Sequence, residues 1–278
     1  MLSHIIDVLA DPIDGSDLKL VDNRVVSATG HSYDVAKQGY VTLAGGAGLR
    51  YSGDDTSMIK ARETFLSRGH FAPFVEAVSE ALSYTSEAPV IAEIGAGTGY
   101  YLSHALDSIE DSRGVGLDVS VPAAKLLAKC HPRVGAVVAD AWARLPIKDS
   151  SVDAIAVVFA PRNAAEFARV LKPEGEVVVL TADTGHLGEL REPLGIIDVE
   201  RGKVQRMIEQ AAGHLVPVDT PQDVEFTMRL DQESIATQIG MSPSARHIHA
   251  DILAERIAAL PATMEVTAKA KITRFRKA

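Results

Sequence analysis

Residues 90–101 read VIAEIGAGTGYY, and this stretch decides how the rest of the chain is interpreted. Val90–Ile94 is a short apolar run that is typical of a buried strand, and Gly95, Gly97 and Gly99 follow it at two-residue spacing. Glycine allows backbone conformations and close approach that a Cβ would block, so a ligand can reach the backbone N–H groups of the following helix. The alternative for this stretch alone is a tight strand-to-helix turn that binds nothing.

Two aspartates follow at regular distances. Asp118 ends the second apolar run, 19 residues after Gly99, and Asp140 follows the third run, 22 residues further on. An acid at the tip of the second strand can accept hydrogen bonds from ribose hydroxyls. An acid after the third strand can accept one from an adenine amino group. Each aspartate alone is as well explained by a turn or a helix cap, but the ordered set of glycines and acids favours a nucleoside ligand.

The middle of the chain alternates between strand-like and helix-like segments, which is typical of βαβ units and a parallel sheet. In the last third, apolar residues alternate with polar ones over 266–273, which predicts a half-exposed final strand. We therefore predict an α/β fold with a mostly parallel seven-stranded sheet and an antiparallel C-terminal strand. The predicted strands are 90–94, 113–119, 134–139, 152–159, 176–181, 223–230 and 266–273, and the helices between them include 101–106, 122–130 and 164–171.

Composition excludes several classes of protein. With 46% hydrophobic and 23% charged residues, the chain is not an acidic disordered protein. The formal net charge of −9 gives no global attraction to phosphate, so nucleic-acid binding would need a local basic face. One cysteine, Cys130, excludes an internal disulfide and a cysteine-rich zinc site. No uncharged apolar run of 18 residues occurs, so we expect no membrane span and a cytoplasmic location.

The chain divides into three parts by pattern. Residues 1–43 contain short apolar runs separated by turn residues, which predicts a small β-rich module. Residues 44–57 are rich in glycine and read as a flexible linker. Residues 58–278 hold the predicted sheet and its helices.

The pattern E-x-G-x-G-x-G resembles motif I of the class I S-adenosylmethionine-dependent methyltransferases. The spacings to Asp118 and Asp140 and the turn at 169–175 (RVLKPEG) resemble later motifs of that superfamily. A dinucleotide-binding turn would instead read G-x-G-x-x-G. The resemblance covers about residues 88–185 and implies a Rossmann-like fold with S-adenosyl-L-methionine as cofactor.

A narrower resemblance spans residues 11 to about 245. Residues 61–74, ARETFLSRGHFAPF, are similar to the A-R-x-x-F-L-x-x-G-H-Y-x-P-L segment of the 23S ribosomal RNA guanine-N1 methyltransferases. Segments 31–41, 159–161, 166–170 and 186–190 also resemble that family. The resemblance implies that the acceptor is a hairpin of 23S ribosomal RNA, and that two copies of the chain form a homodimer.

The same resemblance implies a set of cofactor-binding residues. Phe71 could instead be a residue of the hydrophobic core, and His186 could be a histidine with a structural role in a loop. No catalytic base is identified, because 159–161 (FAP) offers only backbone carbonyls beside the acceptor. The implied set is Phe71, Glu93, Gly95, Gly97, Thr98, Gly99, Tyr100, Asp118, Val119, Asp140, Ala141 and His186.

The chain departs from the family at a metal site. The family carries a zinc site in its first module, with a C-x-x-C pair, a third cysteine and a histidine. Here Asp11, Asp14, Ser27 and His31 stand at those positions. Structural zinc sites of this kind rely on deprotonated sulfur, so we predict no metal, with the two aspartates serving turn formation. Residues 182–185 and 241–246 also depart, the latter because no aromatic follows the proline.

Two other functions stay open at this point. A small-molecule methyltransferase is favoured by the acidic charge and the altered zinc positions. A non-catalytic S-adenosylmethionine-binding regulatory protein would keep the glycine turn and both aspartates but lose turnover. A basic cluster near the C-terminus is either an RNA-binding patch or a solvated face, and it comprises Lys269, Lys271, Arg274, Arg276 and Lys277.

Overall fold

The computed structural model describes residues 1–46, 48–83, 87–196, 199–242 and 247–278. A short 3-10 turn, Leu2–His4, opens the chain. The strands are β1 (Leu18–Val21), β2 (Arg24–Ser27), β3 (Ser32–Asp34), β4 (Tyr40–Thr42), β5 (Val90–Ile94), β6 (Arg113–Asp118), β7 (Val134–Val138), β8 (Val152–Val158), β9 (Leu171–Ala182), β10 (Leu215–Pro217), β11 (Gln222–Asp231) and β12 (Thr263–Lys277). The helices are α1 (Thr56–Ser67), α2 (Ala72–Leu82), α3 (Tyr100–Ser108), α4 (Val121–Cys130), α5 (Ala164–Val170), α6 (Arg191–Leu194), α7 (Lys203–Ala211), α8 (Gln232–Gly240) and α9 (Ala250–Ala258).

The central sheet has the predicted α/β architecture. Its parallel part runs in the order β4-β7-β6-β5-β8-β9. Antiparallel β12 pairs with β9, and β10 and β11 both pair with β12. Among the described residues the sheet therefore has nine strands, not seven. One addition is β4 at the parallel edge, and the other arises because two segments, β10 and β11, share the outer antiparallel position.

Helix starts follow from local sequence. The Asp55 carboxylate accepts from the N–H groups of Ser57 and Met58 at the start of α1. Ser120 caps α4, whose first turn contains a proline, and Asn163 caps α5. Such caps satisfy N–H groups that have no partner inside the helix. Because α4 and α5 each follow a parallel strand, these caps also fix the loops at the carboxyl edge of the sheet.

The two faces of the sheet are covered by different parts of the chain. On one face the buried side chains come from α1, α2, α3 and α8, together with Leu127 of α4. On the other they come from α5, α7 and the N-terminal residues, including Leu2, Ile5 and Leu9. Ile5 packs so closely on Gly135 of β7 that a Cβ there would lie 2.4 Å from the Ile5 side chain. The N-terminal segment thus covers a sheet face that would otherwise meet water.

The contacts of the first 57 residues can be compared with the predicted division into a module (1–43), a linker (44–57) and a main domain. Strands β1–β3 form a separate three-stranded antiparallel sheet, as expected of a small β-rich module. Strand β4 instead pairs in parallel with β7 in the main sheet. Within the predicted linker, Gly53 lies against Val119 and Ser120, and α1 begins at Thr56. The division into a module, a linker and a main domain stays a prediction.

No helix within the described ranges is long and apolar enough to span a bilayer.

Candidate active site

The glycine turn lies at the carboxyl edge of the sheet, between β5 and α3. The N–H groups of Gly95 and Ala96 both donate to the carbonyl of Leu117, at 2.8 and 2.9 Å, which fastens the turn to β6. Gly99 has a φ of 80°, and a Cβ there would lie 2.5 Å from the Sγ atom of Cys130. This position therefore requires glycine for its backbone angle and for its close approach to α4.

Asp118 is held beside this turn. Its carboxylate accepts from the N–H of Gly97 and from the N–H of Ser120, both at 2.8 Å. Burial raises the pKa of Asp118, while the two hydrogen bonds and the Arg62 guanidinium act in the opposite direction. A carboxylate offers about four lone pairs, so acceptor capacity remains after these two bonds are made. The predicted ribose acceptor is therefore oriented by backbone bonds and still able to bind hydroxyls.

Asp140 has an acceptor atom without a partner. The residue is 7% exposed, and its Oδ1 atom accepts from the Trp142 N–H at 2.9 Å. Its Oδ2 atom is buried and has no hydrogen-bond partner in the described part of the chain. Leaving a buried acceptor unpaired costs about 1–3 kcal/mol. A donor from a ligand would remove that cost, and the adenine amino group of S-adenosylmethionine is a donor of the required kind.

Glu93 lies deeper, at the end of β5. It is 1% exposed, and its Oε2 atom accepts from the Leu102 N–H of α3 at 3.0 Å. Burial raises the pKa of Glu93 to about 8. The ring of Tyr100 packs edge-on against Tyr101 and lies next to His104. Glu93 thus also fastens α3 to the sheet, whereas the ring contacts of Tyr100 lie within α3. The contact of both residues with the cofactor stays a prediction.

Three further residues of the predicted cofactor set lie at the carboxyl edge of the sheet, in the half that contains the glycine turn. All three are partly exposed: Thr98 lies in the turn, Val119 follows Asp118, and Ala141 follows Asp140. The carbonyl of Ala141 accepts from the Asn163 side chain at 3.2 Å, which ties the loop after β7 to the start of α5. The structure thus brings the glycine turn, Asp118 and Asp140 together along one edge of the sheet.

Sequence reasoning missed residues that close this half of the edge. Arg62 of α1 lies against Gly97 and donates to Asp54 at 2.6 Å and to the Met241 carbonyl at 3.1 Å. The Asp54 carbonyl in turn accepts from the Ser120 hydroxyl at 2.6 Å. The signal for Arg62 was present in the segment 61–74, which carries the family resemblance. Nothing in the pattern of the linker predicted that Asp54 would contact Ser120.

The other half of the edge, at the ends of β8 and β9, is aromatic. Phe71 is 3% exposed and packs against Phe65, Phe74 and, at a ring distance of 6.3 Å, Phe159. Phe159 is 42% exposed and has a φ of 51°, an unusual backbone angle for a bulky residue. Strained residues of this kind concentrate at functional sites. Phe71 is thus largely a core residue, while Phe159 presents a face to solvent.

His186 joins the same aromatic group. Its ring centroid lies 6.0 Å from that of Phe159 and 6.2 Å from that of Phe71. The Nδ1 atom accepts from the Lys269 backbone N–H at 3.0 Å, so in the neutral ring the proton is on Nε2. Burial lowers the pKa of His186 to about 4. At neutral pH this side chain is an uncharged donor, and its predicted contact with the cofactor stays a prediction.

The altered zinc positions come together in space. Donor atoms of Asp11, Asp14 and His31 lie within 4.8 Å of one another. They are occupied by hydrogen bonds: Asp11 Oδ2 is 3.1 Å from His31 Nδ1, and the Thr29 hydroxyl donates to Asp14 at 2.6 Å. The Ser27 hydroxyl accepts from the His31 backbone N–H at 2.9 Å. This hard, internally bonded set does not fit zinc held by thiolates.

The C-terminal basic cluster is largely neutralised. Lys269 pairs with Glu225 at 2.9 Å, and Lys271 pairs with Asp223 at 2.5 Å. Arg274 pairs with Glu176 at 2.8 Å. These charges balance acids on neighbouring strands, which favours a solvated face over an RNA-binding patch. Of the segment 241–246, only residues 241 and 242 belong to the described residues.

A comparison with known proteins identifies the class. A family profile described as a methyltransferase domain matches residues 91–175, the stretch from the glycine turn to β9. A crystal structure of a candidate methyltransferase from Bacillus halodurans C-125 has a similar fold, with a TM-score of 0.50, 13% identity and coverage of 73% of this chain and 97% of that one. The fold and the site together define a class I methyltransferase that uses S-adenosyl-L-methionine.

Two relatives identify the family. The 23S rRNA (guanine(748)-N(1))-methyltransferase of Streptomyces fradiae is 36% identical over 276 residues, which cover 98% of each chain. A protein of Micromonospora griseorubida, provisionally named a 23S rRNA (guanine-N(1)-)-methyltransferase, is 38% identical over 89% of this chain and 88% of that one. The chain belongs to the family of 23S rRNA (guanine-N1)-methyltransferases.

Proposed function

We propose that this protein transfers the methyl group of S-adenosyl-L-methionine to N1 of a guanine in 23S ribosomal RNA. The similarity to the Streptomyces fradiae enzyme carries this proposal, because it extends over almost the whole of both chains and is not limited to the methyltransferase core. The name of that relative makes guanine 748 the first position to test. A homodimer and a cytoplasmic location accompany the proposal as predictions from the family resemblance and the composition.

The cofactor would be held by the half of the edge that contains the glycine turn. Asp118 would accept the ribose hydroxyls, and the unpaired Asp140 Oδ2 atom would accept from the adenine amino group. Gly95, Gly97, Thr98 and Gly99 would carry the backbone against the rest of the cofactor. When bound there, S-adenosylmethionine supplies an electrophilic methyl group on a sulfonium. The residues of the chain contribute alignment of donor and acceptor, which by itself lowers the barrier to such a transfer.

The acceptor guanine would lie on the aromatic half. A single-stranded base is commonly recognised by stacking on an aromatic ring, and Phe159 offers an exposed ring at the end of β8. The Nε2–H of His186 is a donor suited to the guanine O6 atom. Because His186 Nδ1 already accepts from Lys269, this ring is not arranged to take the N1 proton. We therefore propose His186 as a positioning residue and assign no general base.

The test measures methyl transfer and identifies the methylated product. Purified protein is incubated with methyl-labelled S-adenosylmethionine and either an unmethylated 23S rRNA transcript or a metabolite extract. N1 methylation blocks the Watson–Crick edge of guanine, so reverse transcription should stop at the modified position. Label found only in metabolites would favour the small-molecule alternative. Cofactor binding without transfer to either would favour the non-catalytic alternative.

A further inference from the structure

Arg162 is a cation at the proposed acceptor half of the edge, and it forms no ion pair with the residues that the structure describes. It directly follows the 159–161 segment, and the next residue, Asn163, caps α5. Its position is therefore set by the end of β8 and the start of a helix. Arg162 is partly buried, and no ion pair to it occurs among the described residues. Burial lowers the pKa of the Arg162 guanidinium, as expected for a cation that lacks a compensating acid.

Lys203 is a second such cation from a distant part of the sequence. It is the first residue of α7, whose N-cap Gly202 offers no side-chain cap. Helix α7 packs on the same sheet face as α5, and Met207 of α7 lies 3.6 Å from the Thr181 hydroxyl of β9. Burial lowers the pKa of Lys203, and the nearby Arg162 charge lowers it further. The Lys203 charge also acts on His186, a member of the aromatic group, and Arg162 follows Phe159 of the same group by three residues.

Arg162 and Lys203 differ from the cations of β12, which are paired with acids. Lys269, Lys271 and Arg274 each have a carboxylate within 2.9 Å. Glu200 acts on Lys203 and raises its pKa, but its carboxylate pairs with Arg206 at 2.8 Å. Among the described residues no ion pair to Arg162 or to Lys203 occurs. A partly buried cation without a partner is costly. An anion supplied from outside would remove that cost.

We propose that Arg162 and Lys203 form a subsite for the RNA backbone, binding a phosphodiester adjacent to the guanine at Phe159. This inference rests on the proposed function, because it takes the acceptor to be RNA. Arg162 directly precedes the cap of α5 and Lys203 is the first residue of α7, and the free N–H groups at the start of a helix favour an anion. A phosphate held there would fix the position of the nucleotide next to the reacting base, while the base itself is recognised by the aromatic half.

The test measures how RNA affinity depends on salt. Full-length wild-type protein, Arg162→Gln and Lys203→Gln are titrated with a labelled transcript of the 23S rRNA segment around guanine 748, at several salt concentrations. Each substitution should weaken binding about tenfold near 0.1 M salt. Each should also reduce the slope of log affinity against log salt by about 0.7, as expected when one contact to single-stranded phosphate is lost. Arg162→Lys and Lys203→Arg keep the charge and should keep the slope.

Lys271→Gln is the matched control. It removes the same charge from the protein, but from a lysine already paired with Asp223, so the RNA slope should stay at the wild-type value. Affinity for S-adenosylmethionine, measured by calorimetry, should be unchanged in every variant and reports correct folding. If one glutamine variant fails to fold, the other still decides the question.

The possible results separate the two proposals. Wild-type slopes in the folded glutamine variants, or an equal loss in Lys271→Gln, would overturn the phosphate subsite while leaving methyl transfer to RNA intact. Failure of the wild-type protein to bind or methylate the transcript would instead overturn the proposed function, on which the subsite rests.

Discussion

Asp11 in the N-terminal segment and Asp140 at the carboxyl edge are both buried aspartates, but they differ in how completely they are bonded. Asp11 Oδ1 accepts from the N–H groups of Ile13 and Asp14 at 2.7 and 3.4 Å. Asp11 Oδ2 contacts His31 at 3.1 Å and accepts from the Tyr33 hydroxyl at 3.0 Å. Asp140 accepts one backbone bond, and its second oxygen has no partner within the described residues.

This difference separates a structural centre from a binding site. A buried polar group that is fully bonded inside the protein stabilises the fold and offers a ligand little. One that is left unbonded weakens the free protein and gains when a ligand supplies the partner. The same distinction holds for the cations, since Lys271 is paired with Asp223 and Arg162 has no ion pair within the described ranges. We therefore expect the N-terminal cluster to serve the fold and the carboxyl edge to serve ligands.

The largest effect should come from breaking the bonded cluster. Replacing Asp11 by Ala leaves the Tyr33 hydroxyl, the His31 ring and the Ile13 N–H without their acceptor. We expect the free energy of unfolding to fall by about 3–5 kcal/mol, because each donor left without its acceptor costs about 1–3 kcal/mol. Denaturant unfolding followed by circular dichroism measures this change. The affinity of the remaining folded protein for S-adenosylmethionine should be unchanged.

Asp14→Ala is the control for that experiment, because Asp14 lies largely at the surface and its loss should be far less damaging. Unfolding curves of Asp11→Ala that match the wild type would show that the cluster does not hold the fold. The wild-type curve should also be insensitive to zinc and to chelators. Stabilisation by stoichiometric zinc would show that the altered positions still form a metal site.

The opposite pattern is expected for Asp140. Replacing it by Ala removes an acceptor that has no internal partner, so the free energy of unfolding should change little. The affinity for S-adenosylmethionine should fall by about 1.5–3 kcal/mol, or tenfold to a hundredfold, because a charge-assisted hydrogen bond is lost. Calorimetric titration measures the affinity, and thermal unfolding without cofactor measures the stability. A variant that binds as tightly as the wild type would remove Asp140 from the site.

The smallest effect concerns His186 and pH. Its pKa in the folded protein is about 4, whereas in the unfolded chain it is near 6.5, so the unfolded state binds more protons between these values. The free energy of unfolding should therefore decrease as pH is lowered from about 6.5 to 4. The decrease should be about 1–2 kcal/mol, because solvent still reaches part of the ring. In His186→Asn this part of the pH dependence should disappear from unfolding curves measured across the window.

Much of the carboxyl edge could be predicted because its parts follow one another in a short stretch of chain. The glycine turn, Asp118 and Asp140 each end or follow a parallel strand, and the carboxyl ends of parallel strands share one edge. Cys130 of α4 lies against Gly99 of the turn, where burial raises the pKa of its thiol to about 12. Periodicity also predicted most strands and helices to within a few residues.

Other features could not be predicted because they depend on contacts between distant segments. Pattern alone did not indicate that β4 would leave its neighbours and pair with β7, since three residues carry too little information to specify a partner strand. The charges on β12 looked like a basic patch in sequence, and only the register with β11 places Asp223 opposite Lys271.

By itself, then, the sequence determined the α/β class and the positions of the glycine turn and of Asp118 and Asp140 at the ends of their strands, because these depend on local periodicity and on spacing along consecutive βαβ units. The tertiary structure alone decided which polar groups are satisfied. Asp11 meets Tyr33 through the β1–β3 sheet, whereas Asp140 Oδ2 has no partner and Arg162 no ion pair among the described residues. Hydrogen-bond satisfaction is set by a few ångströms between segments far apart in the chain, and residue identity does not specify those distances.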